Sequence, residues 1–407
     1  MAFHNSPALA RQAQVILYDR LLPLISSVSS PQGSPGGIDV HEVWNSTTMD
    51  FITAYLFGLK SGSNFIQNES YRRHWLSLYQ SRKNYTFFPQ ELPRLTRFFK
   101  RLHIHLVPTW VDDANNELEA WCKERCDATS ANIANKTTGE TTDIGNEPVV
   151  MKALLAGIEK EENTKGDESV LRTETLKYPE LSIASEMIDQ LAAGHETAGI
   201  TLTYLSWHLS RNPDVQDALR SELLKLSPNM SLSQHDGAVK SIPKSKDLDA
   251  LPMLHAVIME ALRLQAPIPG TQPRMTPYPS CTLGPYGNIP GGVRVGAPAH
   301  SVHRNCNVYP EPERWDHKRW MDSEYGYTEK QRRERDKWFW AFSSGGRMCI
   351  GSNFAMLEIK LIIAAIYTNF RTYIVNDDGI EQTDGYTCGP ASNKLFLGFE
   401  RVGGKTG

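Results

Sequence analysis

No stretch of the 407 residues approaches the run of about 20 apolar residues that a membrane-crossing helix needs, and no secretory signal is visible. The most apolar segment, Leu361–Ile366, is short and follows Glu358 and Lys360. Charge of either sign is not in excess. Lysines and arginines number 43 against 46 acidic residues, a net of -3, which gives no reason to expect a nucleic-acid partner. Six cysteines in so long a chain are too few for a disulfide framework. There is no C-x-x-C-H, which excludes covalently attached haem. There is no convincing G-x-G-x-x-G fingerprint, so any electrons must come from a partner. His195-Glu196 begins like a zinc H-E-x-x-H, but Gly199 stands in the second histidine's place. Cys122 and Cys126, one helical turn apart with no other ligand set nearby, read as helix residues. Internal repeats are absent.

What is present is a helical pattern over most of the chain. Leu17, Leu21, Leu22 and Ile25 share one face, and further helices are expected over 39–59, 72–85, 92–105 and 112–126. The polar stretch 127–147 reads as a flexible internal loop, followed by a helix over 149–160. A long helix is expected over 182–211, stopped by Asn212-Pro213, and another over 247–264. Between Ala266 and Ala299, eight prolines and six glycines mark strands and turns. The tail 384–402 reads as a hairpin. The fold class is therefore mainly α with a smaller β-rich part.

Chemistry concentrates near the C-terminus, in Phe342-Ser-Ser-Gly345-Gly-Arg347-Met-Cys349-Ile-Gly351, ahead of a helical pattern over Phe354, Leu357, Leu361 and Ala365. A thiolate at a helix N-terminus gains from free N–H groups and the helix dipole. Glycines let backbone approach a large flat group, and an arginine offers a fork of donors to a carboxylate. These are the parts of a thiolate ligand to haem iron, with Arg347 reaching a propionate. Five positions (Phe342, Gly345, Arg347, Cys349 and Gly351) resemble the cysteine-ligand loop of the cytochrome P-450 superfamily, the haem-thiolate monooxygenases, most like fungal members that tailor secondary metabolites.

The resemblance extends to other segments. Ala193-Gly194-His195-Glu196-Thr197 resembles the family's oxygen-binding kink. There a glycine weakens the helix by about 1 kcal/mol and a threonine hydroxyl can open the ladder onto a groove. It implies that Thr197 steadies dioxygen and Glu196 relays protons. Glu260 and Arg263, at i, i+3, together with Arg319 from the meander-like Val308–Trp320, imply a structural triad behind the cysteine loop. His317 departs from the family's proline. Arg274 and His303 are implied as propionate partners, and residues near Ala192, 266–270 and 389–392 as substrate contacts. The basic run Arg332, Arg333, Arg335 and Lys337 implies a docking surface for an acidic reductase.

The resemblance implies non-covalent haem b, O2, a small lipophilic substrate, and NADPH acting only through a cytochrome reductase, with cytochrome b5 as a further donor. It implies a single haem-thiolate domain over 1–407, including the cysteine loop and following helix at 342–370. The full-length family is expected at the endoplasmic reticulum membrane. The kink lies slightly before mid-chain, so the N-terminal portion of the fold is expected to be missing, and poor haem binding with it. An inactive haem-protein fragment and a haem-thiolate isomerase or dehydratase are the alternative readings. The latter has no need of Glu196-Thr197.

Overall fold

Apolar residues recurring every three to four positions make helices the dominant element. A computed structural model describes residues 6–29, 36–135, 143–232, 240–321 and 325–402. The helices of eight or more residues are α1 Pro7–Val15, α2 Val40–Phe57, α3 Glu69–Ser81, α4 Pro93–Arg101, α5 Thr109–Ala134, α6 Val149–Lys165, α7 Pro179–Arg211, α8 Pro213–Leu223, α9 Pro252–Leu264, α10 Glu329–Lys337 and α11 Ser352–Asn369. The strands are β1 Ile38–Asp39, β2 Thr271–Met275, β3 Ser280–Leu283, β4 Tyr286–Pro290, β5 Arg294–Pro298, β6 Phe370–Asn376 and β7 Phe396–Arg401. The chain packs as two compact units, 1–16 with 49–195 and 17–48 with 196–407, and the division falls inside α2 and α7.

In the first unit an aromatic cluster forms the core. Trp75 stacks on Tyr79 at 5.4 Å and meets Trp121 at 5.5 Å, and Phe65 packs edge-on to Trp75. Buried Asp50 accepts the Ser63 hydroxyl at 2.6 Å and the Phe65 N–H at 2.7 Å, fixing the turn after α2. The polar stretch expected to be a loop from 127 is helical as far as Ala134. Alanines recur through 128, 131 and 134, and Thr129 is buried, so packing overrides the polar composition. Residues 143–146 form a turn held by Arg11 and by the Gln12 amide, which donates to Gly145 O and Glu147 O. Residues 136–142 lie outside the described residues, as do 30–35 of the expected Ser29–Gly37 loop.

In the second unit α11 is apolar nearly all round and almost wholly buried from Glu358 onward, as a central core helix must be. It leads directly into β6, which pairs antiparallel with β7, and β7 pairs with β1. The expected hairpin within 384–402 is thus a return strand that pairs with β6. An isolated bridge, Gln382 to Pro390, ties the tail to the residues just before it. Gln216 of α8 splices helix to sheet, donating to Leu209 O and Thr372 O and accepting the Thr372 N–H. Two further two-stranded sheets, β2 with β5 and β3 with β4, occupy the proline- and glycine-rich stretch.

Candidate active site

The cysteine loop is a tight hairpin closed on itself. The Cys349 N–H donates to Phe342 O at 2.9 Å, and Met348 N–H to Gly345 O at 3.0 Å. Gly345 sits at φ +71, the left-handed region that glycine adopts without strain, and Ser343 at φ +61 precedes it. Gly351 ends the loop as the N-cap of α11 and supplies no side-chain acceptor. The first N–H groups of the helix are therefore free of a side-chain cap, and those of Gly351 and Ser352 donate to the Cys349 sulfur. Partial burial outweighs these donors, so the thiol pKa is raised, opposite to the helix-dipole expectation.

The surroundings fit haem. A soft sulfur ligand stands at the head of a helix. A Cβ built on Gly345 or Gly346 would meet nothing within 4 Å, leaving room along the loop. Apolar Met348 and Ile350 flank the cysteine and are 57% and 92% exposed, offering a surface for a large flat group. Arg347 forms no ion pair among the described residues. Arg274, on β2, donates to Ser343 Oγ at 3.2 Å and to Ser344 O at 3.4 Å, which places a second guanidinium against the same loop. Two guanidiniums and a thiol match the two carboxylates and the iron of haem.

His303 occupies a different place from the one the motif suggested. It is fully buried. Its Nδ1 donates to Arg263 O at 2.8 Å, and its Nε2 accepts the Trp340 N–H at 2.7 Å. Phe339 stacks on the ring at 5.4 Å. Both ring nitrogens are committed to backbone, and no polar atom remains for a propionate.

Glu260, Arg263 and Arg319 converge with no solvent exposure. Arg263 grips the Glu260 carboxylate through Nε and Nη2 at 2.8 and 2.9 Å, and Arg319 Nε joins at 3.2 Å. The carboxylate also accepts the Trp320 indole N–H and the Asp316 N–H, each at 2.9 Å. Arg263 spends its remaining donors on carbonyls, including His303 O and Pro312 O, and Arg319 spends its own on Glu311 O and the Tyr325 hydroxyl. The sequence pointed to the three charges but not to Trp320, whose indole N–H completes the carboxylate's set. His317 opens a 3₁₀ turn capped by Asp316, so the family's proline is replaced without loss of the turn.

On α7 the helix runs through Ala193–Thr197 without interruption. Gly194 serves close packing: a Cβ there would lie 2.8 Å from Ile52 Cγ1. Gly199 does the same against Asn45, where a Cβ would lie 2.8 Å from Oδ1. His195 is buried between Trp75 and Tyr79 and bonds Leu191 O at 2.8 Å, a packing role. Glu196 is buried and Thr197 half-buried. Thr201 Oγ1, one turn on, donates to Thr197 O at 2.9 Å, a threonine back-bond within the same helix.

Two of the three stretches expected to touch substrate are brought together. Cys388 N–H donates to Pro267 O at 2.8 Å, and Gln382 donates to Ala266 O and Cys388 O at 2.9 Å. A Cβ on Gly389 would meet Ile200 of α7 and His41 at 3.5 Å. The basic run at 332–337 is a helix, and much of its charge is internally matched. Arg333 pairs with Glu329, while buried Arg335 donates to Arg319 O and lies over the Trp320 ring at 4.7 Å.

A family model described as Cytochrome P450 matches residues 17–394. The chain is similar to cytochrome P450 monooxygenase FGM1 of Gibberella zeae, 26% identical over 390 residues, which covers 94% of this chain and 70% of that protein. It is 34% identical over 224 residues to cytochrome P450 monooxygenase tazI of Aspergillus terreus, covering 54% and 42%. It is 27% identical over 355 residues to cytochrome P450 monooxygenase macH of Penicillium terrestre, covering 84% and 61%. No helix among the described residues is long and apolar enough to cross a membrane.

Proposed function

The chain belongs to the cytochrome P450 family, and from that premise we propose that it is a haem-thiolate monooxygenase acting on a lipophilic organic substrate in fungal secondary metabolism. One atom of O2 enters a C–H bond; the other leaves as water, with two protons and two electrons. The observation that carries the reading is the Cys349 sulfur at the head of α11, held by two helix N–H groups inside a loop locked through Phe342 O.

Haem, when bound, supplies dioxygen activation through a strongly electron-donating ligand. The rest falls to the chain. Cys349 provides that ligand, and the Gly351 and Ser352 N–H groups temper its charge. Arg347 and Arg274 hold the propionates as charge-assisted pairs. Glu196 takes up a proton and Thr197 passes it from its hydroxyl, since O–O cleavage needs protons delivered at a fixed point. The joined segments 266–270 and 389–392, with small and apolar side chains, exclude water from a lipophilic substrate. Electrons come from NADPH through a separate reductase, with cytochrome b5 as a second donor, at the endoplasmic reticulum membrane.

The test is reconstitution of the full chain with haem. The reduced, carbon monoxide-bound protein is expected to show the red-shifted Soret band of thiolate ligation, and Cys349→Ser to lose it while retaining helical content. With reductase, NADPH and isotopically labelled dioxygen, one labelled atom is expected in product. A carbonyl spectrum that Cys349→Ser leaves unchanged would overturn the ligand assignment. Thiolate ligation with product lacking label would leave the ligand and overturn the reaction.

A further inference from the structure

Two stretches of main chain that meet side by side ordinarily join through their own N–H and C=O groups. In the second unit one such meeting is short of donors. Ala266-Pro267-Ile268-Pro269 leaves the end of α9, and Cys388-Gly389-Pro390 leads back towards β7. Pro267, Pro269 and Pro390 carry no N–H. The backbone supplies Cys388 N–H to Pro267 O at 2.8 Å. The carbonyls of Ala266 and Cys388, both buried residues, still need a donor.

Gln382 makes up the deficit. A side-chain amide carries two N–H donors on one nitrogen and no charge. Gln382 Nε2 donates to Ala266 O and to Cys388 O, each at 2.9 Å. Its own backbone is pinned on both sides, since Thr383 N–H donates to Gly389 O and Ala391 N–H to Glu381 O, each at 2.9 Å. α7 holds the same arm further out. The Tyr204 hydroxyl donates to Ile380 O at 3.1 Å, and the Trp207 indole to Asp377 Oδ2 at 2.8 Å. The clipped wall also lies against α7, where a Cβ on Gly389 would meet Ile200 at 3.5 Å. Ile200 is three residues on from Thr197, on the same helix face.

We propose that Gln382 is a positioning residue that sets selectivity for long lipophilic substrates. It acts through the two segments that its amide clips together, 266–270 and 389–392, and keeps the wall they form closed one turn from Thr197. The proposal rests on the haem-thiolate reading above and adds to it the residue that holds that wall. Without the amide, two carbonyls lose their donor and the segments draw in water or move apart. A wall that must be reordered when a long apolar ligand binds subtracts that cost from affinity. A small ligand that does not reach the wall is unaffected.

The experiment is spectral titration of the full, haem-loaded chain with imidazole and with 1-dodecylimidazole, which offer the iron the same nitrogen and differ in a long alkyl chain. Wild type is expected to bind the alkyl ligand more tightly. Gln382→Met keeps the length of the side chain and removes both donors. It is expected to weaken the alkyl ligand by about ten-fold, while imidazole affinity and the thiolate-type carbonyl band stay as in wild type. Gln382→Asn, one methylene shorter, is expected to reach one carbonyl and to weaken the alkyl ligand by about three-fold. Equal weakening of both ligands, or loss of the carbonyl band, would make Gln382 a general support of the fold and overturn the proposal. So would an undiminished preference in Gln382→Met, or a wild type that binds the two ligands alike. A wild-type chain without the thiolate-type band would overturn the haem-thiolate reading itself, and the proposal with it.

Discussion

The Nε2 of His303 accepts the backbone N–H of Trp340 at 2.7 Å while its Nδ1 donates to Arg263 O. One imidazole thus ties the Glu260–Arg263–Arg319 cluster to the strand of chain that enters the cysteine loop two residues later. The path runs Glu260, Arg263, His303, Trp340, Phe342, Cys349, and every link except the short covalent step from Trp340 to Phe342 is a hydrogen bond of 2.9 Å or less. The tautomer is fixed: Trp340 can only donate, so the ring proton sits on Nδ1.

Replacing His303 with Leu keeps bulk but leaves the Trp340 N–H and the Arg263 carbonyl buried without partners. The expected cost is about 2–4 kcal/mol of stability, read as a lowered urea midpoint. Because Trp340 positions the loop, the haem-loaded variant is also expected to show partial loss of the thiolate-type carbonyl band. A destabilised variant with an unaltered spectrum would confine His303 to general packing.

Glu260 holds two arginines, an indole and a backbone N–H, all out of water. Glu260→Gln removes the charge that both guanidiniums were desolvated to meet, and the expected loss is about 3–5 kcal/mol. Arg263→Lys is expected to cost nearly as much, because an ammonium cannot grip both carboxylate oxygens and also reach His303 O and Pro312 O. Chemical denaturation of both variants checks this. A lysine variant within about 0.5 kcal/mol of wild type would show that charge, and not fork geometry, carries the cluster.

These cases show what the sequence made legible. The helices were readable because apolar spacing on α7, α9 and α11 survives any context. The charges of the cluster were readable from motif spacing. The role of His303 was not, because its neighbours come from positions 263 and 340, and nothing local encodes that meeting. Gly194 looked like a breaker, yet its cause is Ile52, brought close by packing between helices. The end of α5 was missed because Thr, Ser and Asn weigh against helix in composition, while burial of Thr129 decides otherwise. The partner of β7 ends at Asn376, twenty residues before β7 begins at Phe396, a distance over which turn chemistry gives no signal.

Glu358 is buried in α11, and neither carboxyl oxygen has a hydrogen-bond partner among the described residues. Burial, with no hydrogen bond to offset it, pushes its pKa well above the ordinary carboxylate range. A group whose folded pKa is raised contributes stability that is fully present below its unfolded pKa and is lost as pH rises towards the folded one. Glu358→Gln, which cannot ionise, is expected to match wild type near pH 4. Above that it should become progressively more stable, with a higher thermal midpoint at pH 8. A variant less stable than wild type at pH 8 would mean that the carboxyl has a partner that glutamine cannot satisfy.

Three histidines set the acid limit of the fold. Burial lowers His195 from 6.5 to about 4, and His208 and His303 each to about 3. His303 cannot be protonated at Nε2 without losing the Trp340 N–H, and His208 stacks on Trp315 at 5.0 Å with Nε2 facing Gln265 Oε1. The folded pKa is depressed in each case, so the unfolded chain binds protons first. The stability of the neutral ring is whole above pH 6.5 and is lost as pH falls towards 3 or 4. Between pH 7 and pH 5 each histidine is expected to remove about 2 kcal/mol. Urea midpoints measured across this range are expected to fall steadily, with unfolding at pH 5 taking up close to three protons from these rings. His208→Gln offers the control, since glutamine keeps a polar end for Gln265 and cannot titrate there. Its stability is expected to fall less steeply with acid than that of wild type. An identical slope would assign the acid sensitivity to other groups.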